Sequence, residues 1–339
     1  MAYAGDMGRR PLASLICVLA VASATLHSDS PVAKDRVWFS PNPGTLDLQR
    51  MFARPEEWPR ARALMSVFNF TQQSTDDTAD ALVGPNSYDA LARAGAFRQL
   101  GQWGKKISIG VGVVKEFYCT PDGPASVLQK TLHAIDAVTA AGGKVTYLSM
   151  DEPWVSGRSK QCDGLALDRT ADRVAAYMSA VGRAHPEIRI GLIEAYPFSS
   201  ADQIESMLSL LQDRGTPPAF LHMDVDWHLS GSAAFTRDMG RLSAAAHARD
   251  IPFGIIITGY NGDADALFAD DAYGIARLIG QTFGHWDAMP DHIMFDSWVV
   301  SRTGLNVTPS NLPEDRAYTQ TRMMLDIYRY LRGLTAPPR

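Results

Sequence analysis

The chain has 339 residues, of which 46% are hydrophobic and 20% are charged, and its formal net charge is −5. This is the composition of an ordinary globular protein with enough apolar mass for a large core. The body of the chain contains no basic block, which argues against a nucleic-acid-binding protein. We therefore expect no nucleic acid among its partners.

The first segment has the pattern of a secretory signal. Arg9 and Arg10 precede an apolar run over residues 12–24, which ends in a small-x-small cleavage pattern at Ala24. The run is short for a complete bilayer span, which favours a cleaved signal peptide. An uncleaved membrane anchor is the alternative. No later stretch is long and apolar enough to be a second span.

These features divide the chain into a signal peptide over residues 1–24, one barrel domain over 25–335 and a short tail over 336–339. After cleavage we expect a secreted or periplasmic protein with no membrane contact. Cys17 lies in the signal run and leaves Cys119 and Cys162 as an even pair. An oxidising compartment favours a disulfide between them, and two free thiols are the alternative.

Short apolar runs rich in β-branched residues recur along the chain, and several have no polar alternation. Strands that are buried on both faces of a parallel sheet have this pattern. We predict eight strands, over residues 37–40, 64–70, 107–114, 144–150, 188–193, 219–225, 251–257 and 292–298.

Amphipathic segments separate these runs and are predicted as helices. Ser199 or Ser200 and Asp263 stand where N-cap residues are expected, and Gly95 interrupts the first helical pattern. The predicted helices cover residues 88–103, 124–141, 170–184, 200–214, 233–249, 264–283 and 312–331.

Eight strand–helix units in series predict an α/β fold, a single (β/α)8 TIM barrel. No G-x-G-x-x-G follows a strand, so a dinucleotide-binding sheet has no support. In such barrels the active site lies at the carboxyl ends of the strands, so the residues that follow each apolar run are the candidates for chemistry.

Charged residues stand at five of these strand ends. Four consecutive strand ends, the third to the sixth, offer carboxylates, which are costly to bury without a function or a partner. The candidates are Lys115 and Glu116 after the third run, Asp151 and Glu152 after the fourth, Glu194 after the fifth, Asp224 and Asp226 on the sixth, and Asp296 on the eighth.

The sixth strand has a clear period of two. His222, Asp224, Asp226 and His228 fall on one face, and the residues between them are expected to pack on helices. We expect the polar face to point into the barrel mouth. The alternative is a buried polar network that fixes the top of the barrel.

Aromatic and amide side chains accompany the acids and suit a sugar, which has an apolar C–H face and a hydroxyl rim. Most lone tryptophans are core residues, so we keep a binding role for three of them, Trp154, Trp227 and Trp298. The remaining candidates for substrate contact are Tyr196, Tyr260, Asn69 and Asn261.

Asp151-Glu152-Pro153 resembles the Asn-Glu-Pro that ends the fourth strand of retaining (β/α)8 glycoside hydrolases. The resemblance implies that Glu152 is the general acid/base and Asp151 its substrate-contacting neighbour. Those enzymes carry their nucleophile as a Glu at the end of strand seven, where this chain has no acid. We therefore assign the partner carboxylate first to Glu194 and second to Asp224 or Asp226.

The sequence thus predicts a glycoside hydrolase that acts on a carbohydrate substrate without a cofactor or metal, with its oligomeric state left open. One alternative is a metal-dependent sugar isomerase, epimerase or lyase that uses Glu152, Glu194, Asp224 and His222 as ligands. The other is a barrel that binds glycan without cleaving it, which the missing acid on strand seven favours.

Overall fold

The computed structural model describes residues 35–75, 86–115, 119, 123–299 and 308–338. The predicted signal peptide and the candidate Glu116 lie outside these ranges. None of the helices within them combines the length and the apolar character needed to cross a membrane.

Eight parallel strands form a closed ring in sequence order, and β1 pairs with β8 to complete it. The prediction of a single (β/α)8 barrel is confirmed. The strands are β1 (Val37–Ser40), β2 (Val67–Thr71), β3 (Lys106–Val111), β4 (Val145–Asp151), β5 (Arg189–Tyr196), β6 (Leu221–Val225), β7 (Phe253–Ile257) and β8 (His292–Asp296).

Helices surround the ring, with short additional helices at the strand ends. They are α1 (Leu48–Ala53), α2 (Pro59–Leu64), α3 (Tyr88–Arg93), α4 (Ala96–Gln102), α5 (Gly123–Ala140), α6 (Pro153–Gly157), α7 (Leu167–Ala184), α8 (Ala201–Asp213), α9 (Trp227–Ser230), α10 (Ser232–His247), α11 (Asp265–Phe283) and α12 (Gln320–Leu331).

The predicted helix over residues 88–103 is two helices, because Gly95 adopts a left-handed conformation (φ 71°) between α3 and α4. The predicted helix over 312–331 is wrong in its first part. The backbone N–H of Leu312 donates to Asp47 instead of to a helical carbonyl, and Thr319 caps α12 by accepting from the N–H of Arg322.

Two other boundaries differ from the sequence prediction. Leu64 ends α2 and does not begin the second strand, which starts at Val67. Ser200 caps α8 in a reciprocal capping box with Gln203, as expected of a serine there. Asp263 does not cap α11, whose N-cap is Ala264 without a side-chain hydrogen bond.

A layer of large side chains fills the lower barrel. Trp38, Tyr147, Phe220, His222 and His292 are fully buried there, and Nε2 of His222 lies 2.8 Å from Nδ1 of His292. A barrel interior packed in this way is a core and not a pore, so the space that is open to ligand begins above this layer.

Cys119 and Cys162 form a disulfide with a Cα–Cα distance of 5.0 Å. The predicted bridge is therefore present. It joins the segment after β3 to the segment after α6, on the rim where the strands β3 and β4 end.

Candidate active site

A cavity of about 660 Å³ opens at the carboxyl ends of the strands. It receives residues from every strand or from the loop that follows it. Ten of the residues predicted from the sequence line it: Asn69, Lys115, Asp151, Glu152, Tyr196, Asp224, Asp226, Tyr260, Asp296 and Trp298.

The alternation of strand side chains decides which residues reach this cavity. On β5, Ile193 and Ala195 line it, so Glu194 between them points to the helix side of the sheet. On β6, His222 and Asp224 both face inward, but His222 lies one layer deeper, against Trp38 and His292. Asp224 forms part of the cavity wall, whereas His222 does not line the cavity and packs against Trp38 below it.

The end of β4 carries the Asp-Glu-Pro motif in an unusual backbone conformation. Glu152 has φ 48° and is the N-cap of α6, with Pro153 at the first helical position. Its N–H donates to the carbonyl of Ile193 at 3.0 Å, which anchors the turn to β5. A non-glycine residue in this region costs of order 1–3 kcal/mol and is typical of functional sites.

Glu194 supports this turn from the opposite side of the strand. It is fully buried, accepts the N–H of Trp154 at 2.8 Å and contacts the hydroxyl of Ser199 at 3.3 Å. Burial raises the pKa of Glu194 to about 8. Its place in the fold is therefore beneath the motif, and its carboxylate does not line the cavity.

Glu152 and Asp224 meet across the cavity. The side chain of Glu152 hydrogen-bonds to Asp224. Burial, and then the neighbouring carboxylate of Asp151, raises the pKa of Glu152. Burial, and then Glu152 itself, raises the pKa of Asp224 well above its ordinary value. Two acids in such contact hold a proton between them and titrate as a pair.

Tyr260 completes this pair. Its hydroxyl donates to Oδ1 of Asp224 at 3.4 Å, and this hydrogen bond favours the ionised form of Asp224. Burial, and then the charge of Asp224, raises the pKa of Tyr260. Tyr260 is therefore a permanent donor toward Asp224.

Asp296 stands on the far wall of the cavity at the end of β8. Burial raises its pKa to about 7, and it accepts hydrogen bonds from the Ser40 hydroxyl and the Ser297 N–H. Behind it, Nδ2 of Asn69 donates to Oγ of Ser40 at 3.0 Å. Asn69, Ser40 and Asp296 form one chain of hydrogen bonds across β2, β1 and β8.

The remaining charged residues of the cavity lie nearer its rim. Nζ of Lys115 is 2.6 Å from Oδ2 of Asp151, so this ion pair joins the ends of β3 and β4. Oδ1 of Asp226 accepts the N–H groups of His228 and Leu229 and so caps α9.

Aromatic residues flank the opening. Trp298 is 45% exposed and Phe198 is 54% exposed, and both line the cavity. Trp298 meets Tyr260 edge-on with ring centroids 6.4 Å apart. Tyr196 also lines the wall, and its hydroxyl donates to Asp238. An exposed indole at the mouth of a polar cavity can stack on the apolar face of a sugar ring.

Four further candidates lie outside the cavity lining. Trp154 is buried in α6 with Arg158 above its ring, and Trp227 stacks on His228 at 4.0 Å. His228 itself pairs with Asp271, because α9 ends the strand period before residue 228. Asn261 braces its own loop, since its side-chain oxygen accepts the N–H of Asp263.

Sequence reasoning did not select several neutral residues of the wall. They lie at the ends of strands or directly after them, as the acids do, and this position is the signal that could have identified them. Their side chains are neutral and frequent in loops, so residue type alone does not mark them as functional. These residues are Ser40, Asn42, Thr71, Gln72, Gln73, Phe198 and Ser297.

The four residues proposed for a metal centre do not converge. Glu152 and Asp224 face the cavity, whereas Glu194 lies behind β5 and His222 lies beneath the floor. Within the described ranges, no three His, Cys, Asp or Glu side chains are grouped as ligands for a metal ion. This geometry gives no support to the metal-dependent alternative.

No protein-family model matches the chain, and no curated protein is detectably similar to it in sequence. Its fold does match solved structures. A GH5_18 protein from Streptomyces cattleya, solved in complex with GlcNAc, aligns over 90% of this chain and 82% of its own, at 13% identity and a TM-score of 0.56.

Two other solved structures are similar. A modular endo-β-1,4-mannanase of glycoside hydrolase family 26 from Cellulomonas fimi aligns over 90% of this chain and 71% of its own, at 10% identity and a TM-score of 0.54. A GH10 xylanase from Thermobacillus composti aligns over 87% and 98%, at 12% identity and a TM-score of 0.52. At identities this low, the structural similarity establishes a shared fold and nothing further.

The chain is therefore a (β/α)8 barrel of the type on which glycoside hydrolases of families 5, 10 and 26 are built. The resemblance stated from Asp-Glu-Pro on β4 is confirmed at the level of the fold.

Proposed function

We propose that the protein is an exported glycoside hydrolase that cleaves a poly- or oligosaccharide with Glu152 and Asp224 as its catalytic carboxyl pair. The observation that carries the proposal is that these two carboxyl groups line one cavity at the barrel mouth and lie close enough to shift each other's pKa. Glycoside hydrolysis requires two carboxyl groups, of which one is protonated and the other ionised at working pH.

Glu152 is the proton donor in this proposal. Its pKa is raised by burial, so it can hold a proton that a surface glutamate would have lost. The proton passes to the glycosidic oxygen as the bond to the anomeric carbon breaks. The position of Glu152 at the end of β4 agrees with the role that the Asn-Glu-Pro resemblance implies.

Asp224 is the ionised partner. Burial and the charge of Glu152 raise the pKa of Asp224 well above its ordinary value, and the hydrogen bond to Asp224 lowers the pKa of Glu152, so the shared proton starts on Asp224. Substrate binding must therefore move this proton to Glu152, after which the hydroxyl of Tyr260 donates to Asp224 and stabilises its negative charge. The carboxylate then attacks the anomeric carbon, and water releases the glycosyl group in a second step. Retaining enzymes hold the two carboxyl groups about 5–5.5 Å apart and inverting enzymes roughly 6.5–9.5 Å apart. The hydrogen-bonded pair must open to admit the sugar, and its close placement favours the shorter separation, so we propose retention of anomeric configuration.

Asp224 thus takes the place that the sequence assigned first to Glu194. Asp226 was an equal second candidate, but its carboxylate is committed to the N–H groups that begin α9. Trp298 and Phe198 supply aromatic surface for the sugar ring at the opening.

The test is an activity screen of the purified protein on β-glucans, mannans, xylans and amino-sugar polymers, with new reducing ends as the readout. Glu152→Gln and Asp224→Asn keep the size of each side chain and remove its acid chemistry. We expect each to lower turnover by about 10²–10⁴-fold. The anomer released first, followed by proton NMR, tests retention.

Asp213→Asn is the matched control, because this exposed residue ends α8 at the opposite end of the barrel from the mouth. It should keep the wild-type rate and an unchanged circular dichroism spectrum. A glycan hydrolysed at the wild-type rate by both site variants would overturn the assignment of the catalytic pair.

A barrel that binds glycan without cleaving it is the second candidate. Thr258, Gly259 and Tyr260 follow β7, where the resembling enzymes carry their nucleophile. Tight binding to a glycan with no product after prolonged incubation would favour this candidate over hydrolysis.

Export is part of the proposal. The disulfide between Cys119 and Cys162 suits an oxidising compartment, as does the signal pattern of residues 1–24. N-terminal sequencing of protein recovered from the periplasm or the medium tests it, with residue 25 expected first. An intact residue 1 on cytoplasmic protein would contradict it.

A further inference from the structure

The cavity carries more acid than hydrolysis requires. Among the described residues that line it, five have carboxyl groups, and Lys115 is the single amine. Glu152 and Asp224 account for two of the five. The other carboxyl groups belong to Asp151, Asp226 and Asp296.

Neutral groups satisfy the innermost of these acids. The described partners of Asp296 are the Ser40 hydroxyl and the Ser297 N–H, and the described partner of Asp224 besides Glu152 is the Tyr260 hydroxyl. Lys115 is engaged with Asp151 at 2.6 Å. Each ionised carboxylate therefore raises the free energy of its neighbours, and a cation bound among them would lower it.

A buried acceptor on the same wall also lacks a donor. Asn69 is 5% exposed and lines the cavity; its Nδ2 donates to Ser40, but its Oδ1 has no hydrogen-bond partner among the described residues. An unsatisfied buried acceptor costs about 1–3 kcal/mol. The wall formed by Asn69 and Asp296 thus presents acceptors and calls for a ligand that brings donors.

We infer that the glycan bound in this cavity carries a free ammonium group, as the sugars of a deacetylated amino-sugar polymer do, and that this group binds near Asp296 and Asp224. An ammonium supplies three donors, no acceptor and a positive charge. A uronic acid would meet like charge, and a neutral sugar would leave the carboxylates uncompensated. The inference rests on the proposed function for the place where substrate binds.

The electrostatics of the cavity give this binding a proton signature. The pKa of Asp296 is raised to about 7, so at neutral pH the group is partly protonated. A bound ammonium favours the ionised form and expels the proton. We therefore expect affinity to increase as the pH rises toward about 7, with protons released to the buffer on binding below that pH.

Calorimetry with Glu152→Gln, which we expect to turn substrate over slowly, measures this binding. The probes are oligomers of glucosamine and of galactosamine, each beside its N-acetylated form, with cello-oligosaccharide and oligogalacturonate for comparison. We expect at least one amine oligomer to bind tenfold or more tightly than its acetylated form, with heats that differ between buffers because protons are released. Equal affinity of both amine oligomers and their acetylated forms would overturn the inference.

A second variant tests the location. Asp296→Asn still accepts the Ser40 hydrogen bond but lacks the charge, so it should weaken binding of the amine oligomer about tenfold and leave the acetylated form unchanged. Asp213→Asn removes the same charge far from the cavity and should change neither. An amine preference that Asp296→Asn leaves intact would contradict the location.

The inference and the proposed function fail in different ways. Rapid hydrolysis of a neutral glycan with no preference for amines would overturn the inference and keep the hydrolase. Tight binding of an amine oligomer that the wild-type protein never cleaves would keep the inference and overturn the hydrolase. Displacement of the oligomer by an equal concentration of calcium chloride would overturn the inference, because the site would then be a general cation site.

Discussion

The carboxylate of Glu194 accepts the backbone N–H of Trp154 at 2.8 Å from the helix-facing side of β5. The acid that the sequence placed opposite Glu152 therefore lies underneath the turn that presents Glu152. Because Glu152 itself occupies a left-handed conformation, this hydrogen bond helps to hold a backbone that would otherwise relax. Glu194 is thus a positioning residue in our proposal.

Glu194→Ala should destabilise the protein by about 1–3 kcal/mol, because it leaves the buried N–H of Trp154 without an acceptor. Glu194→Gln keeps that acceptor and should cost less than about 1 kcal/mol. Urea unfolding measures both values. In the activity screen Glu194→Gln should keep most of its turnover, in contrast to Glu152→Gln. A loss of turnover in the folded Glu194→Gln protein as large as that of Glu152→Gln would show a direct catalytic role.

Glu194 should also make the protein less stable at higher pH. Its pKa in the folded state is raised to about 8 from an ordinary value of 4.5. Between these values the folded state holds a proton that the unfolded state has lost, so the stabilisation present at low pH disappears as the pH rises toward 8. Glu194→Gln cannot take up this proton, so its unfolding free energy should fall less steeply with pH across this window. The slope should differ from that of the wild type by the equivalent of about one proton, which is roughly 1.4 kcal/mol per pH unit at most. Asp213→Asn should keep the wild-type slope, and an unchanged slope in Glu194→Gln would refute the shift.

The sequence pattern placed Glu194 and His222 in the barrel mouth, whereas Glu194 lies on the helix side of β5 and His222 lies below the cavity. Along β5 every residue from Ile190 to Tyr196 is buried, so hydrophobicity carries no period from which the outward direction of Glu194 can be read. Along β6 the period of two was correct for His222, but a period does not give depth, and His222 packs on Trp38 below the cavity.

Trp298→Ala should weaken glycan binding about tenfold, because the exposed indole beside Tyr260 offers stacking surface at the opening. The change in unfolding free energy should be within about 0.5 kcal/mol, since 45% of the side chain is already exposed. Titration of intrinsic fluorescence with oligosaccharide measures the affinity. Leu334→Ala removes an apolar side chain that is 64% exposed outside the cavity and should have no effect. Unchanged affinity in Trp298→Ala would remove this residue from the binding surface.

The disulfide should contribute about 4 kcal/mol to stability, since it closes a loop of 43 residues in the unfolded chain. The double substitution Cys119→Ser with Cys162→Ser should therefore lower the denaturation midpoint strongly. Thiol titration of native protein that lacks residues 1–24 should find no free thiol. Two titratable thiols in protein purified from the exported fraction would contradict the bridge.

The lower barrel should not tolerate a methyl group at Gly191. A Cβ there would lie 2.3 Å from the ring of Phe220, so the ring or the strand must shift, and Gly191→Ala should cost about 1–3 kcal/mol or more. Gly182→Ala is the matched control, because a Cβ at that position in α7 meets no atom within 4 Å. It should stabilise the helix by up to about 1 kcal/mol. Equal thermal midpoints for the two variants would contradict this packing.

The fold could be predicted because eight buried runs alternate with helical patterns, and the boundaries failed where local interactions override periodicity. Asp47 draws the N–H groups of Asn311 and Leu312 away from a helix that their sequence resembles. The hydrogen bond between Glu152 and Asp224 joins β4 and β6, and contacts of that range follow from ring geometry that no local pattern encodes.

Val37 of β1 pairs with Ile293 of β8, so this edge of the first strand has no hydrogen-bonding partner until the last strand has been made. Until residues 292–296 have been synthesised, β1 and β7 both present rows of unpaired backbone groups. A prematurely terminated chain therefore has two sheet edges that can pair with other chains, which makes it a substrate for chaperones and proteases or a seed for aggregation. In the closed ring both edges are paired.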